Sequence, residues 1–265
     1  MVKNPKISLI VAFYKKFDNL DVIFKSLKNQ FFSDFEIIIA EDDNNEKTNA
    51  YIKQYSDFFQ FPIKHVFQEE KIGFRKNKIL NKAVCIADGE ILVFIDGDIV
   101  VHKYFLETYS KYVNDGVVCF GRRVMLDEKL SQKVLLSQNL KILNFFRIFF
   151  SNSQRKKYAF YIPNFSQIRQ KGVIGCNWAI KKENLVALNG FDEDYVNAGV
   201  GEDVDIEWRI ISAGYQLVSV RYSALAYHLF HKRTYSSIDE NIGYEMVKKK
   251  KNENLIYCKN GINKI

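Results

Sequence analysis

Two carboxylates one glycine apart interrupt the apolar segment ILVFIDGDIV (Ile91–Val100). Asp96-Gly97-Asp98 at the end of a buried strand could hold a Mg²⁺ or Mn²⁺ shared with a substrate's phosphates, the glycine letting the backbone come close. Asp-Gly is also a strong tight-turn signal, so the pair alone leaves both readings open. A calcium loop of the EF-hand kind is excluded. Glu107 falls at its twelfth place, but Val100 and Val101 stand where an oxygen ligand and a glycine are required.

A second acidic group lies in NAGVGEDVDIEWRI (Asn197–Ile210), where Glu202-Asp203 open a helix behind a glycine loop expected to be mobile. Acids in a first turn complement the helix dipole without doing chemistry. Val204 occupies the third glycine place of a dinucleotide fingerprint and excludes it, and no Walker A pattern occurs. His228 and His231, in AYHLFHK, offer imidazoles, the usual transition-metal ligands. An extended segment would aim them at different faces, so their spacing does not require a shared metal. Arg75, in KIGFRKNK, is a phosphate contact or a solvated charge.

These residues need a scaffold. ISLIVAF, FEIIIA, IKHVF and EILVFI are apolar runs of strand length, separated by helical patterns. Asp18 can cap the first helix, whose apolar face is Leu20, Ile23, Phe24 and Leu27. A polar helix spans about 46–58, and another carries Ile79, Leu80, Ala83, Val84 and Ala87. Strands apolar on both faces and alternating with helices imply an α/β fold with a mostly parallel sheet. Ligands of such sheets sit beyond the strands' carboxyl ends. Tyr14, Glu41-Asp42-Asp43 and Asp96–Asp98 would therefore share one rim. Further on, VVCFGRRVM, VIGCNWAI, YQLVSVR and ALAYHL read as strands, and 128–150 and 202–213 as helices.

The chain has 265 residues, a net charge of +8, 22 Phe and 15 Tyr against 13 Gly and 3 Pro. That length supports a sizeable core, and so few breakers exclude a turn-rich β-sandwich. The four cysteines lack metal-site spacing and read as buried thiols. The first residues lack a signal-peptide pattern and no stretch approaches the ~20 apolar residues of a spanning helix. A cytoplasmic protein is expected.

Taken in order, SLIVAFYKK, FEIIIAEDDNNE, KIGFRKNKILNKAV, GEILVFIDGDIV, GCNWAIKKENLVALNGFDE and GVGEDVDIEWRI resemble family 2 of the inverting glycosyltransferases, which have the GT-A fold. The last two segments also resemble the C-terminal part of the galactosyltransferase and chondroitin-polymerase type. The resemblance covers residues 7 to about 231. It implies a single Rossmann-like GT-A domain over 1–231, with a nucleotide-binding half at about 1–125, a helical insertion at 128–171 and an acceptor/catalytic half at 172–231. Residues 232–265 would be a basic, partly disordered tail.

Carried over by position, the resemblance makes Asp96-Gly97-Asp98 the family's DxD, Asp98 binding the divalent metal and Asp96 helping to hold the nucleotide sugar. Asp42, or Asp43 one residue on, would accept the uracil N3–H, with Ala12 and Tyr14 lining the base pocket. Asp203 would be the general base, Glu202 its acceptor-site neighbour, His228 a further metal ligand and Arg75 a diphosphate contact. Trp178 is a candidate sugar-stacking surface or a core aromatic. Two departures are AFY in place of a small polar residue and proline, and EDD in place of DDG or DDS.

The implied activity is Mn²⁺- or Mg²⁺-dependent transfer of a hexose or N-acetylhexosamine from a UDP-sugar to a saccharide or lipid-linked acceptor, in bacterial surface-polysaccharide synthesis. Segment 128–150 sets a narrow polar stripe (Ser137, Lys141, Asn144) within an apolar arc. It would be a core or dimer helix, or an interfacial helix making peripheral contact through 134–157 with the inner face of the cell membrane, aided by Arg155–Lys157 and Lys248–Lys251. A sugar-nucleotide nucleotidyltransferase should carry a glycine-rich, Arg-containing loop after the first strand, where FYKKFDNL stands instead. A nucleic-acid-binding protein should cluster its basic residues with aromatic platforms, and its polyanion would meet an acidic rim. No nucleic-acid partner is expected.

Overall fold

The computed structural model describes residues 4–56, 61–69, 73–196, 201–232 and 237–264. Of the glycine loop expected in NAGVG, residues 197–200 lie outside them. Strands β1 (Ile7–Phe13) and β2 (Phe35–Glu41) are buried almost throughout, because helices cover both faces. The pleat divides β1 accordingly. Leu9 and Val11 face α1 (Phe17–Lys28), and Ile10 faces α3 (Lys76–Ile86). Helix α1 starts behind Lys16 rather than at an Asp18 cap, and Asp18 lies in its first turn. Between these, α2 (Glu46–Ser56) leads to β3 (Ile63–Phe67).

The main sheet continues through β4 (Ile91–Asp96), β6 (Val117–Phe120), β8 (Gln167–Arg169), β9 (Asn177–Lys181) and β10 (Gln216–Ser219). Its order is β3-β2-β1-β4-β9-β6-β10-β8. The first four strands are parallel, whereas β9 runs antiparallel to both β4 and β6. A second sheet, β5-β11-β7, joins β5 (Ile99–Val101), β11 (Leu225–His228) and β7 (Arg122–Met125).

VVCFGRRVM is therefore two strands in two sheets, not one. The break is at Gly121, where a Cβ would lie 2.2 Å from Asn177 Nδ2. Asn177 is fully buried, donates to the Arg122 carbonyl at 2.8 Å and accepts from Tyr109 at 2.5 Å. It needs that space and pins the junction between the sheets. Helix α4 (Phe105–Tyr112) supplies Tyr109 from below.

Segment 128–150 is not one helix. Helix α5 (Glu128–Ser137) ends at Gln138, whose φ of 50° is left-handed. Asn139 accepts from Lys141 N, and Asn144 accepts from Arg147 N to start the short α6 (Phe145–Phe149). Asparagine side chains that bond the backbone locally compete with helix continuation. The stripe of Ser137, Lys141 and Asn144 is consequently a bend and a cap.

Beyond α7 (Lys182–Ala187) and α8 (Glu202–Ser212), the C-terminal residues pack rather than trail. From α9 (Ser237–Asn252), buried Lys250 pairs with Asp192 and with Asp194, the latter at 2.6 Å. The Asn189 side chain donates to the Cys258 carbonyl at 2.7 Å. Of the Lys248–Lys251 run only Lys250 is withdrawn in this way, while Lys248, Lys249 and Lys251 are exposed. Cys119, Cys176 and Cys258 are buried thiols as expected, while Cys85 is exposed. Among the described residues, no helix is long and apolar enough to cross a membrane.

Candidate active site

The DGD turn folds back over the end of β1. Ala12 and Asp96 are register partners, Gly97 N donates to the Ala12 carbonyl at 2.7 Å, and Asn19 of α1 donates to the Gly97 carbonyl at 3.1 Å. A Cβ on Gly97 would sit 2.9 Å from the Ala12 oxygen, so only glycine makes this approach. The turn is real, and it places the two carboxylates in different company.

Asp98 faces two imidazoles. Its Oδ2 lies 3.4 Å from His228 Nε2 and 3.0 Å from His231 Nε2. One ligand atom from each of the three residues falls within 4.8 Å of the others. Strand β11 ends at His228, so the chain turns before His231 and brings both rings to one place. The strand alternation that separated them in the sequence does not apply past that end. Burial opposes the ionised form of Asp98, but the His231 hydrogen bond and the charges of His228, His231 and Arg123 hold its carboxyl below the usual range. Burial holds His228 low, favouring the neutral imidazole that ligates metals. Asp98 Oδ1 and His228 Nδ1 are buried without hydrogen-bond partners among the described residues. One carboxylate, two imidazoles and an unused buried oxygen fit Mn²⁺ and related cations.

Asp96 faces Lys76 instead, at 2.6 Å. Lys76 is the first residue of α3. Burial opposes its charge, yet Asp96, Asp203 and Glu202 together raise its pKa and keep it an ammonium. Arg75, one residue earlier, turns away to Asp42. Its backbone N–H donates to Asp42 Oδ2 at 3.2 Å, and its Nε lies 3.6 Å from Oδ1. Gln68 also donates to Asp42. Arg75 thus lies against Asp42 with its buried Nε and Nη1 making no hydrogen bond among the described residues, and Lys76 is the cation on Asp96.

This knot also separates the neighbouring acids. Asp42 is tied into the rim, while Asp43 pairs with Lys15 at 3.3 Å. Tyr14 is 56% exposed at the end of β1, with the Lys15 ammonium over its ring. Ala12 is half-buried beside it.

Asp203 enters from α8. Its Oδ2 accepts from Gly175 N at 2.8 Å, and a Cβ on Gly175 would lie 2.3 Å from its Oδ1. Glu202, half-buried beside it, has its carboxyl pushed up to about 7 by burial and the Asp203 charge, with Lys76 opposing. The helix is fixed from its far side. Arg209 pairs with Asp205 at 2.7 Å and donates to the Leu188 and Gly190 carbonyls, both at 2.9 Å. Asn77 and Asn81 of α3 bind the same NGFDE turn, at 2.7 and 2.8 Å.

Arg123 is a further cation here. It shares a face of the second sheet with its register partner Ala226 and, two residues on, His228. It donates to Met125 and Cys176 sulfurs, which are weak acceptors. Cys176, Asp96 and Asp203 oppose the effect of burial and raise its pKa.

Trp178 does not belong to the site. It is wholly buried, stacked on Phe94 at 4.8 Å and edge-on to Phe191 at 5.9 Å. Residues of β9 alternate, and its partner across the sheet, Phe94, points into the α3 side of the core. A sugar cannot reach it.

The family model for glycosyl transferase family 2 matches residues 8–185. The chain belongs to that family. A model described as the N-terminal domain of galactosyltransferase matches residues 158–232, which include both histidines and Asp203. The chain is 29% identical over 122 residues to a cholesterol galactosyltransferase of Borreliella burgdorferi, covering 45% of this chain and 33% of that protein. It is 25% identical over 192 residues to the GalNAc(5)-diNAcBac-PP-undecaprenol beta-1,3-glucosyltransferase of Campylobacter jejuni, covering 72% and 56%. The chain thus spans between a third and somewhat over half of these two relatives. Among solved structures, GalNAc-T7 with UDP, GalNAc and Mn²⁺ superposes with a TM-score of 0.62 at 14% identity, covering 94% of this chain and 48% of that one. The mannosyltransferase PcManGT from Pyrobaculum calidifontis, in complex with GDP-Man and Mn²⁺, gives 0.57 at 18%, covering 88% and 59%. The shared fold is GT-A.

Proposed function

We propose that this chain is an inverting glycosyltransferase that moves a hexose or N-acetylhexosamine from a UDP-sugar to a saccharide or lipid-linked acceptor, in bacterial surface-polysaccharide synthesis. The carrying observation is the grouping of Asp98, His228 and His231 beside the Lys76–Asp96 pair, with Asp203 charge-coupled to that pair from α8. The names of the two relatives support an acceptor with a lipid part, one a sterol and the other a diphosphate-linked polyprenol.

Asp98, His228 and His231 would hold a divalent cation, which supplies positive charge beside the diphosphate. Lys76 and Arg123 add fixed cations at the same rim, where a developing negative charge is stabilised without reorganisation. Asp203 Oδ2 is occupied by the Gly175 N–H, which leaves Oδ1 to take the acceptor hydroxyl's proton. As that oxygen bonds to the anomeric carbon, the bond from this carbon to the diphosphate oxygen breaks. Its electron pair leaves with the nucleoside diphosphate, and the configuration inverts. Asp42, with Tyr14 and Ala12, is the proposed base pocket.

The test is a calorimetric titration of UDP with and without Mn²⁺, repeated on Asp98→Ala. The expected result is binding that needs both the cation and Asp98. Equal binding without metal would remove the cation from the reading. No binding of UDP or of any other nucleoside diphosphate would leave Asp96-Gly97-Asp98 as a structural turn.

A further inference from the structure

The chain's positive charge is concentrated in one place. From Lys129 to Lys171 the sequence holds nine Lys or Arg and no Asp or Glu, so the remainder of a chain of net charge +8 is close to neutral. The same segment carries a group of exposed aromatic side chains. Phe146 is 73% and Phe150 82% exposed, and Phe149, Phe160 and Leu136 are also open to solvent. The rings form one connected set: Phe145 contacts Phe146, Phe149 and Phe160 at centroid distances of 5.5–5.9 Å, and Phe149 contacts Phe150 at 5.3 Å.

This set is held in place from beneath. Ile148, Ile142 and Val134 are buried against Val100, Val124, Leu225 and Tyr227. Those four come from the second sheet, on the face opposite His228. Asn144 caps α6, and Lys156 Nζ bonds the Phe149 carbonyl at 3.0 Å. The aromatic group is therefore a fixed feature next to the site, not a loose end.

We propose that α6 and the residues around it form a membrane-docking surface, with Phe146, Phe149 and Phe150 entering the headgroup–acyl boundary of an anionic bilayer. Aromatic side chains among cations suit that boundary, where apolar burial and attraction to anionic lipid add together. A second copy of this chain is disfavoured as the occupant. A two-fold interface sets the same patch against itself and would oppose cation to cation. A single-stranded nucleic acid would need open ring faces to stack on, whereas three of these four ring contacts have one ring standing steeply to the other, at 75–88°. Docked this way, the sheet that carries His228 lies next to the membrane, where a lipid-linked acceptor would be met. The surface itself does not depend on the proposed reaction.

The experiment is cosedimentation of the full chain with vesicles of phosphatidylcholine alone and of phosphatidylcholine mixed with phosphatidylglycerol, at low and high salt and without sugar donor. Binding is expected to the anionic vesicles, to weaken with salt, and to fall roughly tenfold or more in Phe146→Ser/Phe150→Ser, since each ring's apolar burial is lost. Both side chains are mostly exposed, and unchanged circular dichroism confirms that the variant folds. No binding to anionic vesicles overturns the proposal, as does equal binding by the folded double variant. Self-association or oligo(dT) binding that the double variant abolishes, with vesicle binding untouched, also overturns it. A positive vesicle result with an inactive enzyme would leave the docking surface standing and remove only the transferase reading.

Discussion

Lys76 Nζ and Asp96 Oδ1 are 2.6 Å apart at the start of α3 and the end of β4, and Lys76 is the cation that the first DGD carboxylate actually meets. The pair divides the motif's labour: Asp96 is held by a fixed ammonium, and Asp98 is left to the two histidines. Lys76 also reaches the Glu202 and Asp203 charges, so it links the strand-end rim to α8.

Removing that ammonium should be costly. Lys76→Met leaves three carboxylates with one fewer cation, and breaking a part-buried pair on one side destabilises by about 2–4 kcal/mol. Lys76→Arg keeps the charge and should recover most of the stability. Urea melts of the three proteins check this. A Lys76→Met variant as stable as the parent would show that the pair carries no weight.

His231 is the second relationship that sequence alone did not settle. If it belongs with Asp98 and His228, His231→Ala should weaken Mn²⁺ binding by roughly tenfold or more, as losing one ligand of a small nitrogen–oxygen set does. The same change at His65, an imidazole paired with Glu41 on the β2–β3 side, should leave Mn²⁺ affinity unaltered. Titration of the metal without nucleotide gives the answer. Normal affinity in His231→Ala would assign that histidine a purely hydrogen-bonding role.

Asp203→Asn tests the proton acceptor. An amide oxygen can still accept from Gly175 N–H, so the local geometry should persist. Turnover should drop by about 10²–10⁴ while UDP affinity in the presence of Mn²⁺ stays near the parent's. Near-normal turnover would exclude Asp203 as the base.

The parallel half of the fold was legible because its signals are local: continuous apolar runs, helical spacing between them, Tyr14 just past Phe13, and acids just past Ala40 and Ile95. Trp178 was not, since Asn177-Trp178 reads the same whether the indole faces a ligand or Phe94; only the pairing of β9 with β4 decides it. The split at Gly121 arises from the chain leaving one sheet for another, and the joint position of His228 and His231 from β11 ending at His228; no spacing rule encodes either. Lys76 and Arg123 were plain in KIGFRKNK and GRRVM. What hid them was helix phase and strand register, which turn Arg75 onto Asp42 and Arg123 onto the His228 face. The helix expected over 128–150 failed for a readable reason, as Asn139 and Asn144 are strong caps placed inside an apolar pattern.

Glu202 gives the pH-dependent prediction. Burial and the Asp203 charge push its carboxyl up to about 7, well above an unfolded glutamate. The folded chain therefore favours the protonated acid. That contribution to stability is full below the unfolded pKa and is lost as pH rises through about 7. Glu202→Gln removes the titration and keeps the shape. In the metal-free protein, the variant should melt within a degree or so of the parent at about pH 4 and roughly a few degrees above it at about pH 8, where the parent carries a half-buried charge next to Asp203. Calorimetric scans in EDTA across that range provide the comparison. A melting difference that is the same at both ends would mean that Glu202 ionises as it does in the unfolded chain, and that Lys76 fully offsets its burial and its neighbour.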